Sequence, residues 1–124
     1  MTLLKAIATE EGFYVDGSRA QRNHNPGNLD YGPFAAAYGA TRVEEIPPGI
    51  EEAPRFAYFP DDDTGFAALR ALLECPEYAG LTVEAALRKY APASENDTQL
   101  YVQHVCEWTG CRPTDLITDV LEGA

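Results

Sequence analysis

Positive charge is scarce in this sequence. The chain has 9 lysines and arginines against 20 aspartates and glutamates, which gives a formal net charge of −11. Nucleic acids and anionic membrane surfaces are bound mainly through clustered Lys and Arg side chains, whereas the basic residues here are scattered. The sequence therefore predicts no nucleic-acid partner and no anionic-membrane partner. The same charge argues mildly against tight attraction to any other anionic polymer.

Long apolar runs are also lacking. No run approaches the roughly 20 apolar residues of a membrane-spanning helix, so the sequence predicts no membrane span. The first residues do not form a charged, apolar and small-residue leader. The protein is therefore expected to be made in the cytoplasm without a signal peptide.

Cysteine and histidine are few. The three cysteines, Cys75, Cys106 and Cys111, are expected to be reduced thiols. Cys106 and Cys111 could pair if the chain turns between them, and the sequence leaves that pairing open. His24 is expected to be an exposed loop imidazole without a partner, and His104 a packed or half-buried residue. The two histidines have no familiar ligand spacing, so the sequence predicts no metal site.

Helical patterning is what the sequence does contain. With 124 residues, the chain is expected to form one domain, residues 1–124. Thr2 and Thr82 are candidate caps for two helices, and Asn96 or Asp97 for a further one that Gly110 closes. The segment RFAYFP, residues 55–60, alternates like a strand. The predicted fold class is a mainly helical α+β domain with five or six helices and a small strand pair.

Two adjacent glutamates, Glu10 and Glu11, come at the end of the first predicted helix. On a helical wheel of about 100° per residue, the large residues Leu3, Leu4 and Ile7 define an apolar centre. Glu11 lies about 30° from that centre and Glu10 about 70°, so Glu11 is predicted to pack against the core. Partial burial and the negative end of the helix dipole both favour the protonated acid, which general acid catalysis requires. The alternative is a solvated pair at a frayed helix end.

Five segments, in the same order along the chain, resemble one family. They are IATEEGF (residues 7–13), RNHNPGNL (22–29), RFAYFPDDDTGFAALRALL (55–73), LRKYAP (87–92) and SENDTQLYVQHV (94–105). They resemble segments of small phage-type or secreted muramidases related to the soluble lytic transglycosylases, in the lysozyme-like superfamily. In that family an apolar helix ends in the catalytic glutamate, and an asparagine-rich turn follows.

This resemblance implies a lysozyme-like domain that cleaves peptidoglycan at the MurNAc–GlcNAc bond. On the motif match, Glu11 takes the place of the catalytic glutamate, which acts first as general acid and then as general base. The resemblance leaves open whether water completes the reaction or the substrate's own 6-hydroxyl does, giving a 1,6-anhydro product. Neither reaction implies a cofactor. Most glycosidases use a second carboxylate, and Asp30 and Asp97 are the nearest candidates by motif position.

A sugar-binding cleft around Glu11 is a further implication of the resemblance. The predicted substrate-binding residues are Asn25, Asn28, Tyr90, Asn96 and Tyr101. Asparagine amides can bind sugar hydroxyls and N-acetyl groups, but Asn25 and Asn28 can equally satisfy local backbone groups. Asn96 is a candidate helix cap first, and Tyr90 either bonds the acid or closes the core.

The partners implied are peptidoglycan glycan strands and, for delivery, components of a secretion, lysis or virion assembly. Without a signal peptide, the protein is expected to act at the cell wall after non-Sec delivery or as a virion component. Two other functions stay open. One is a non-catalytic peptidoglycan-binding or virion structural module of the same fold, which the net charge of −11 favours. The other is a helical interaction domain with no sugar site.

Overall fold

The computed structural model describes residues 1–122. The chain forms two compact units: unit 1 comprises Met1–Glu10 and the chain from Arg70 onward, and unit 2 comprises Glu11–Leu69. Eight α-helices and one two-stranded antiparallel sheet lie within the described residues. The fold is therefore mainly helical α+β, as predicted, with more helices than the predicted five or six.

The elements follow one another along the chain in a fixed order. They are α1 (Leu3–Glu10), α2 (Arg19–Arg22), α3 (Pro33–Ala37), β1 (Arg42–Val43), β2 (Ala57–Tyr58), α4 (Asp62–Leu73), α5 (Pro76–Ala79), α6 (Val83–Tyr90), α7 (Thr98–Thr109) and α8 (Ile117–Glu122). Helices α2 and α5 have four residues each, which is too short for an apolar repeat to predict them. Within residues 1–122, no helix combines the length and the apolar character needed to cross a membrane.

Unit 1 is a helical assembly around an aliphatic core. Helix α1 lies against α7, and α6 also packs on α7, while α8 contacts α1, α5 and α6. The residues that fill this core are fully buried: Leu3, Ile7, Leu73, Val83, Leu87, Val105 and Ile117. Burial of one such side chain contributes about 1.5–3 kcal/mol, so the apolar stripes of these helices are sufficient to explain why they pack together.

Local capping chemistry sets the ends of the unit 1 helices. The Thr2 hydroxyl accepts from the Lys5 N–H at 3.3 Å, and the Thr82 hydroxyl accepts from the Ala85 N–H at 3.1 Å. Asp97, rather than Asn96, caps α7. Gly110 ends that helix in the left-handed conformation with φ 78°, which glycine adopts at little cost.

Unit 2 has little regular structure and is held by a short hairpin and a buried turn. Strand β1 pairs with β2 in the register Arg42↔Tyr58 and Val43↔Ala57, which confirms the strand predicted in RFAYFP. The turn at residues 23–28 packs against the start of α4 at Gly65, where an added Cβ would collide with the carbonyl oxygen of His24. A glycine at this position is therefore required for the turn and the helix to approach each other.

Candidate functional site

The asparagine-rich turn in unit 2 is fixed by the side chain of Asn25. This side chain is fully buried. Its Nδ2 donates to the carbonyl oxygens of Leu29 and Ala57, both at 2.9 Å, and its Oδ1 accepts from the Leu29 N–H at 2.9 Å. Asn25 therefore serves, in this geometry, to join the turn to strand β2 rather than to present its amide at the surface.

Asn28, at the end of the same turn, contacts the candidate acid. Its Nδ2 donates to Glu11 Oε1 at 3.0 Å and to the Glu11 carbonyl oxygen at 3.2 Å. Asn28 has φ 49°, a left-handed conformation that asparagine tolerates better than most residues. The turn is thus held in a strained backbone form that brings an amide donor to the carboxyl of Glu11.

The Oδ1 atom of Asn28 is a buried acceptor. Among the described residues it is the buried side-chain polar atom with no hydrogen-bond partner. Leaving such an atom unsatisfied costs about 1–3 kcal/mol. An O–H or N–H donor placed beside Asn28 would recover that free energy, and sugar hydroxyl and N-acetyl groups are donors of this kind.

Glu11 follows directly after the last residue of α1. Its side chain is half-buried, and the next residue, Gly12, has φ 80° and turns the chain. Phe13 is buried, and its ring meets Phe66 edge-on at a centroid distance of 5.4 Å. The candidate acid therefore lies two residues before one ring of an aromatic pair and in direct contact with a polar turn.

Glu10, the neighbouring glutamate, has a different environment in unit 1. Its carboxylate lies 2.8 Å from His104 Nδ1, and its side chain is 19% exposed. The His104 ring in turn stacks on Trp108 at 5.2 Å. His104 is half-buried, as predicted. This ion-pair geometry joins α1 to α7, so Glu10 has a clear structural role.

Glu10 and Glu11 are both half-buried, so the choice of Glu11 as the glutamate packed against the core stays a prediction. Ala6 is fully buried whereas Leu4 is not, which moves the centre of the buried stripe towards Leu3. Glu10 lies about 20° from Leu3 on the wheel. Helix α1 ends at Glu10, so wheel geometry does not extend to Glu11, which follows the helix and contacts Asn28.

The other three predicted substrate-binding residues belong to unit 1. Tyr90 is the last residue of α6 and is half-buried. Asn96 is exposed, and its Nδ2 lies 3.5 Å from the Pro92 carbonyl oxygen. Tyr101 is buried in α7. The convergence of these three residues on Glu11 stays a prediction.

The two candidates for a second carboxylate both have structural partners. Asp30 lies 2.7 Å from Arg55 Nε, and Asp97 accepts from the Leu100 N–H at 3.2 Å as the cap of α7. These contacts give each carboxylate a role in holding its own unit. A mechanism that uses Glu11 alone is consistent with both arrangements.

A buried glutamate that sequence reasoning missed organises unit 2. The side chain of Glu44 is completely buried. It accepts from Arg19 Nε at 2.7 Å and from Arg19 Nη2 at 2.6 Å. It also accepts from the backbone N–H groups of Phe56 at 2.7 Å and Arg55 at 3.0 Å, and from the Asn23 amide at 3.2 Å.

These five contacts determine the charge of Glu44. Burial alone would raise its pKa, but the hydrogen bonds from Arg19, the two backbone N–H groups and Asn23 outweigh burial and lower the pKa to about 2. Glu44 is therefore a fixed anion at neutral pH. Arg19 and Glu44 are 25 positions apart in sequence, so no local pattern could have predicted the pair.

His24 has a partner, contrary to the prediction. Its Nδ1 lies 2.8 Å from Asp62 Oδ1, and its ring meets Tyr58 edge-on at 5.8 Å. Its φ of 49° is again left-handed. The sequence separation of 38 residues between His24 and Asp62 hides this pair from any spacing rule.

The structure gives the state of the three cysteine side chains. Cys75, Cys106 and Cys111 are all free thiols, and the Sγ atoms of Cys106 and Cys111 lie 3.6 Å apart. Burial and the neighbouring Cys111 raise the pKa of Cys106 to about 12.

Within residues 1–122, no group of three His, Cys, Asp or Glu side chains is arranged to hold a metal ion.

No protein-family model matches the chain, and no curated protein matches it. A family assignment consequently depends on the motif resemblance and on the geometry around Glu11.

Proposed function

We propose that the protein is a peptidoglycan-cleaving muramidase or lytic transglycosylase with a lysozyme-like domain, in which Glu11 is the catalytic acid and base. The observation that carries this proposal is the hydrogen bond from Asn28 Nδ2 to Glu11 Oε1 at 3.0 Å. It joins the glutamate of one resembling segment to the asparagine turn of another, although 17 positions separate them in sequence.

The contact suits a carboxyl group that must change its protonation state. An amide N–H can donate to the carbonyl oxygen of a carboxylic acid as well as to a carboxylate, because both oxygens accept. Asn28 therefore orients Glu11 in each state without supplying a positive charge. Orientation of this kind is what a general acid needs to reach the glycosidic oxygen at hydrogen-bond distance.

Asn28 also offers a recognition group beside the acid. Its buried Oδ1 has no partner among the described residues, and a sugar N–H or O–H donor would satisfy it. A site built to bond such a donor discriminates strongly against ligands that lack it, because the buried acceptor is then left unpaired. This feature supports a sugar substrate with an amide or hydroxyl close to the scissile bond.

The reaction that follows from these roles needs one glutamate. The protonated Glu11 donates its proton to the glycosidic oxygen as the bond breaks, and the resulting carboxylate then accepts a proton from the attacking group. The attacking group is water in hydrolysis, or the substrate's 6-hydroxyl when the product is the 1,6-anhydro sugar. Both outcomes use the same side chain, and the mass of the product distinguishes them.

The test is a pair of adjacent variants assayed for clearing of purified peptidoglycan. Glu11→Gln keeps the shape of the side chain and the Asn28 contact but cannot donate the proton, so activity should fall about 10²–10⁴-fold. Glu10→Gln removes one negative charge from the same stretch of chain and should keep activity within about threefold. The proposal fails if Glu10→Gln is inactive and Glu11→Gln is active.

A non-catalytic peptidoglycan-binding or virion structural module of the same fold is the second candidate. The net charge of −11 favours the structural form of this module, because an acidic protein is not steered towards an anionic wall. If the wild-type protein binds purified peptidoglycan in a pull-down assay and releases no fragments, this second function replaces the first.

A further inference from the structure

Two of the three cysteines lie side by side at the end of helix α7 in unit 1. Cys106 belongs to the last turn of α7, and Cys111 comes directly after Gly110, the residue that closes the helix. The Sγ of Cys111 donates to the Sγ of Cys106 at 3.6 Å. Both thiols are free and half-buried, and the reaction proposed for Glu11 uses neither. We refer to Cys106 and Cys111 as the thiol pair.

The turn at Gly110 brings the two thiols together. Gly110 has φ 78°, and its N–H donates to the Cys106 carbonyl oxygen at 2.9 Å. The Cys111 N–H donates to the Thr109 hydroxyl at 3.2 Å, so the direction in which the chain leaves the helix is fixed. A disulfide bond is about 2.05 Å long. The sulfurs therefore need to approach each other by only about 1.5 Å, which lies within the range of side-chain rotation.

Of the two thiols, Cys111 is the one that small molecules can reach and react with first. It lines a groove of about 270 Å³ in unit 1, together with Met1 and Asp119. Burial and the neighbouring Cys111 raise the pKa of Cys106 to about 12, so Cys106 stays protonated near neutral pH. Because the thiolate is the species that attacks a disulfide, the first exchange with an oxidant falls to Cys111.

The segment that follows Cys111 holds the start of helix α6. The N–H of Val83 donates to the carbonyl oxygen of Asp115 at 2.7 Å. The N–H of Glu84 donates to the carbonyl oxygen of Pro113 at 3.0 Å. A covalent bond within the thiol pair would tie this segment to the end of α7 and restrict the unfolded chain, and both effects stabilise the folded protein.

We propose that the thiol pair is a modification site, at which Cys106 and Cys111 form an intramolecular disulfide by exchange with a low-molecular-weight disulfide. In the first step the Cys111 thiolate attacks one sulfur of the oxidant, which forms a mixed disulfide and releases one thiolate. In the second step the Cys106 sulfur attacks Cys111 Sγ, and the other thiolate leaves. The two departing thiolates take up the two protons of the thiol pair, so one oxidant molecule is reduced to two thiols.

The state of the pair depends on the redox environment. A reducing cytoplasm keeps such thiols reduced, whereas an oxidising compartment allows the disulfide to persist. The protein would then be more stable outside the reducing compartment than within it. This inference goes beyond the proposed function, and it holds whether or not Glu11 is catalytic.

The test incubates the reduced full chain with glutathione disulfide, alkylates the remaining thiols under denaturing conditions and analyses proteolytic peptides by mass spectrometry. The peptide material that carries Cys106 and Cys111 should take up no alkyl group and should be lighter by about 2 Da, the mass of two hydrogen atoms. Protein kept in reductant should be alkylated at both residues. Alkylation of both residues after oxidation, a lasting glutathione adduct on the wild type or a disulfide between two chains as the main product would overturn the proposal.

Serine variants test the order of the two steps. Cys106→Ser should stop at the mixed disulfide, with glutathione bound to Cys111, whereas Cys111→Ser should leave Cys106 as a thiol. Cys75→Ser is the matched control. Cys75 is also half-buried, but its Sγ lies 3.3 Å from the Ala71 carbonyl oxygen, and this variant should form the disulfide as the wild type does. Loss of the disulfide in Cys75→Ser, or glutathione bound to Cys106 in Cys111→Ser, would contradict the assignment.

Thermal unfolding measures the consequence for stability. The oxidised wild type should unfold about 5 °C above the reduced protein, and reductant should reverse the shift. Cys75→Ser should keep this redox-dependent shift, and Cys106→Ser should lose it. Equal unfolding temperatures for the oxidised and reduced wild type would show that the disulfide does not stabilise the fold. Because none of these measurements involves glycan, their outcome is independent of the muramidase proposal.

Discussion

Glu11 and Glu44 belong to the same unit, yet their carboxyl groups differ in burial and accept hydrogen bonds from different kinds of donor. Glu44 is completely buried and accepts from a guanidinium, two backbone N–H groups and an amide. Glu11 is half-buried and accepts from the uncharged amide of Asn28. A guanidinium stabilises only the charged form of a carboxyl group, whereas an amide bonds both forms.

The comparison shows that burial alone does not identify a proton donor. Glu44 is the more deeply buried of the two residues, and burial by itself would favour its protonated form. Its hydrogen bonds instead bring its pKa down to about 2, which makes it unable to donate a proton near neutral pH. The hydrogen bonds to Glu44 therefore make this buried carboxylate a fixed anion that holds the fold.

Removing the charge of Glu44 should have the largest effect on stability. Glu44→Gln leaves the Arg19 guanidinium without its buried counter-charge, and we expect a loss of about 3 kcal/mol in the free energy of unfolding. Urea unfolding at pH 7 measures this loss. The control is Glu45→Gln, the adjacent and exposed glutamate, which should change stability by less than about 0.5 kcal/mol. Similar losses in both variants would contradict the role given to Glu44.

The pH dependence of the free energy of unfolding should reveal the contribution of Glu44. Because the pKa of Glu44 is about 2 in the folded protein and 4.5 as a reference, its contribution is complete above pH 4.5 and is lost as the pH falls towards 2. Linkage gives a loss of about 2 kcal/mol by pH 3. We expect the difference in unfolding free energy between wild type and Glu44→Gln to shrink over this range. A difference that stays constant down to pH 3 would contradict the assignment.

Changing Asn28 should alter the pH profile of catalysis. Asn28→Asp places a second carboxyl about 3 Å from Glu11 Oε1, and like charges so close favour a shared proton. The alkaline limb of the activity profile, where the required proton on the acid is lost, should move up by about one pH unit. Asn28→Ala should instead lower activity about tenfold at an unchanged optimum, because one orienting hydrogen bond is lost. An Asn28→Asp profile that coincides with wild type would show that Asn28 does not orient the acid.

The smallest effect is expected at Glu10. Glu10→Gln weakens the contact with His104 between α1 and α7, and the cost should be about 1 kcal/mol because both side chains are partly exposed. Thermal unfolding measures this change, and His104→Gln should give a loss of the same size. The double variant should cost little more than either single one. Fully additive losses would mean that the two side chains do not act as a pair.

Features set by local chemistry were predictable from the sequence. Thr82 and Gly110 were identified as helix boundaries because capping depends on residues within one turn of the helix end. The strand in RFAYFP was predicted because the alternation that indicates a strand is also a local pattern. The short helices α2 and α5 were not, because four residues carry no period.

Features set by contacts distant in sequence were not predictable. Arg19 and Glu44 are 25 positions apart, and His24 and Asp62 are 38 apart, so neither pair leaves a pattern in its own segment. The helical wheel for α1 was centred on large side chains, whereas the small Ala6 is fully buried and Leu4 is not. The contact of Asn28 with Glu11 was anticipated only through the order of the resembling segments.

The central claim is that Glu11 cleaves glycan strands, and mass analysis of the soluble products tests it most directly. Purified peptidoglycan would be incubated with the wild-type protein and with Glu11→Gln, and the released fragments would be analysed by mass spectrometry. We predict disaccharide-peptide fragments cut at the MurNAc–GlcNAc bond with wild type, and at most traces with Glu11→Gln. No fragments with wild type, or the same fragments at the same rate with Glu11→Gln, would contradict the claim.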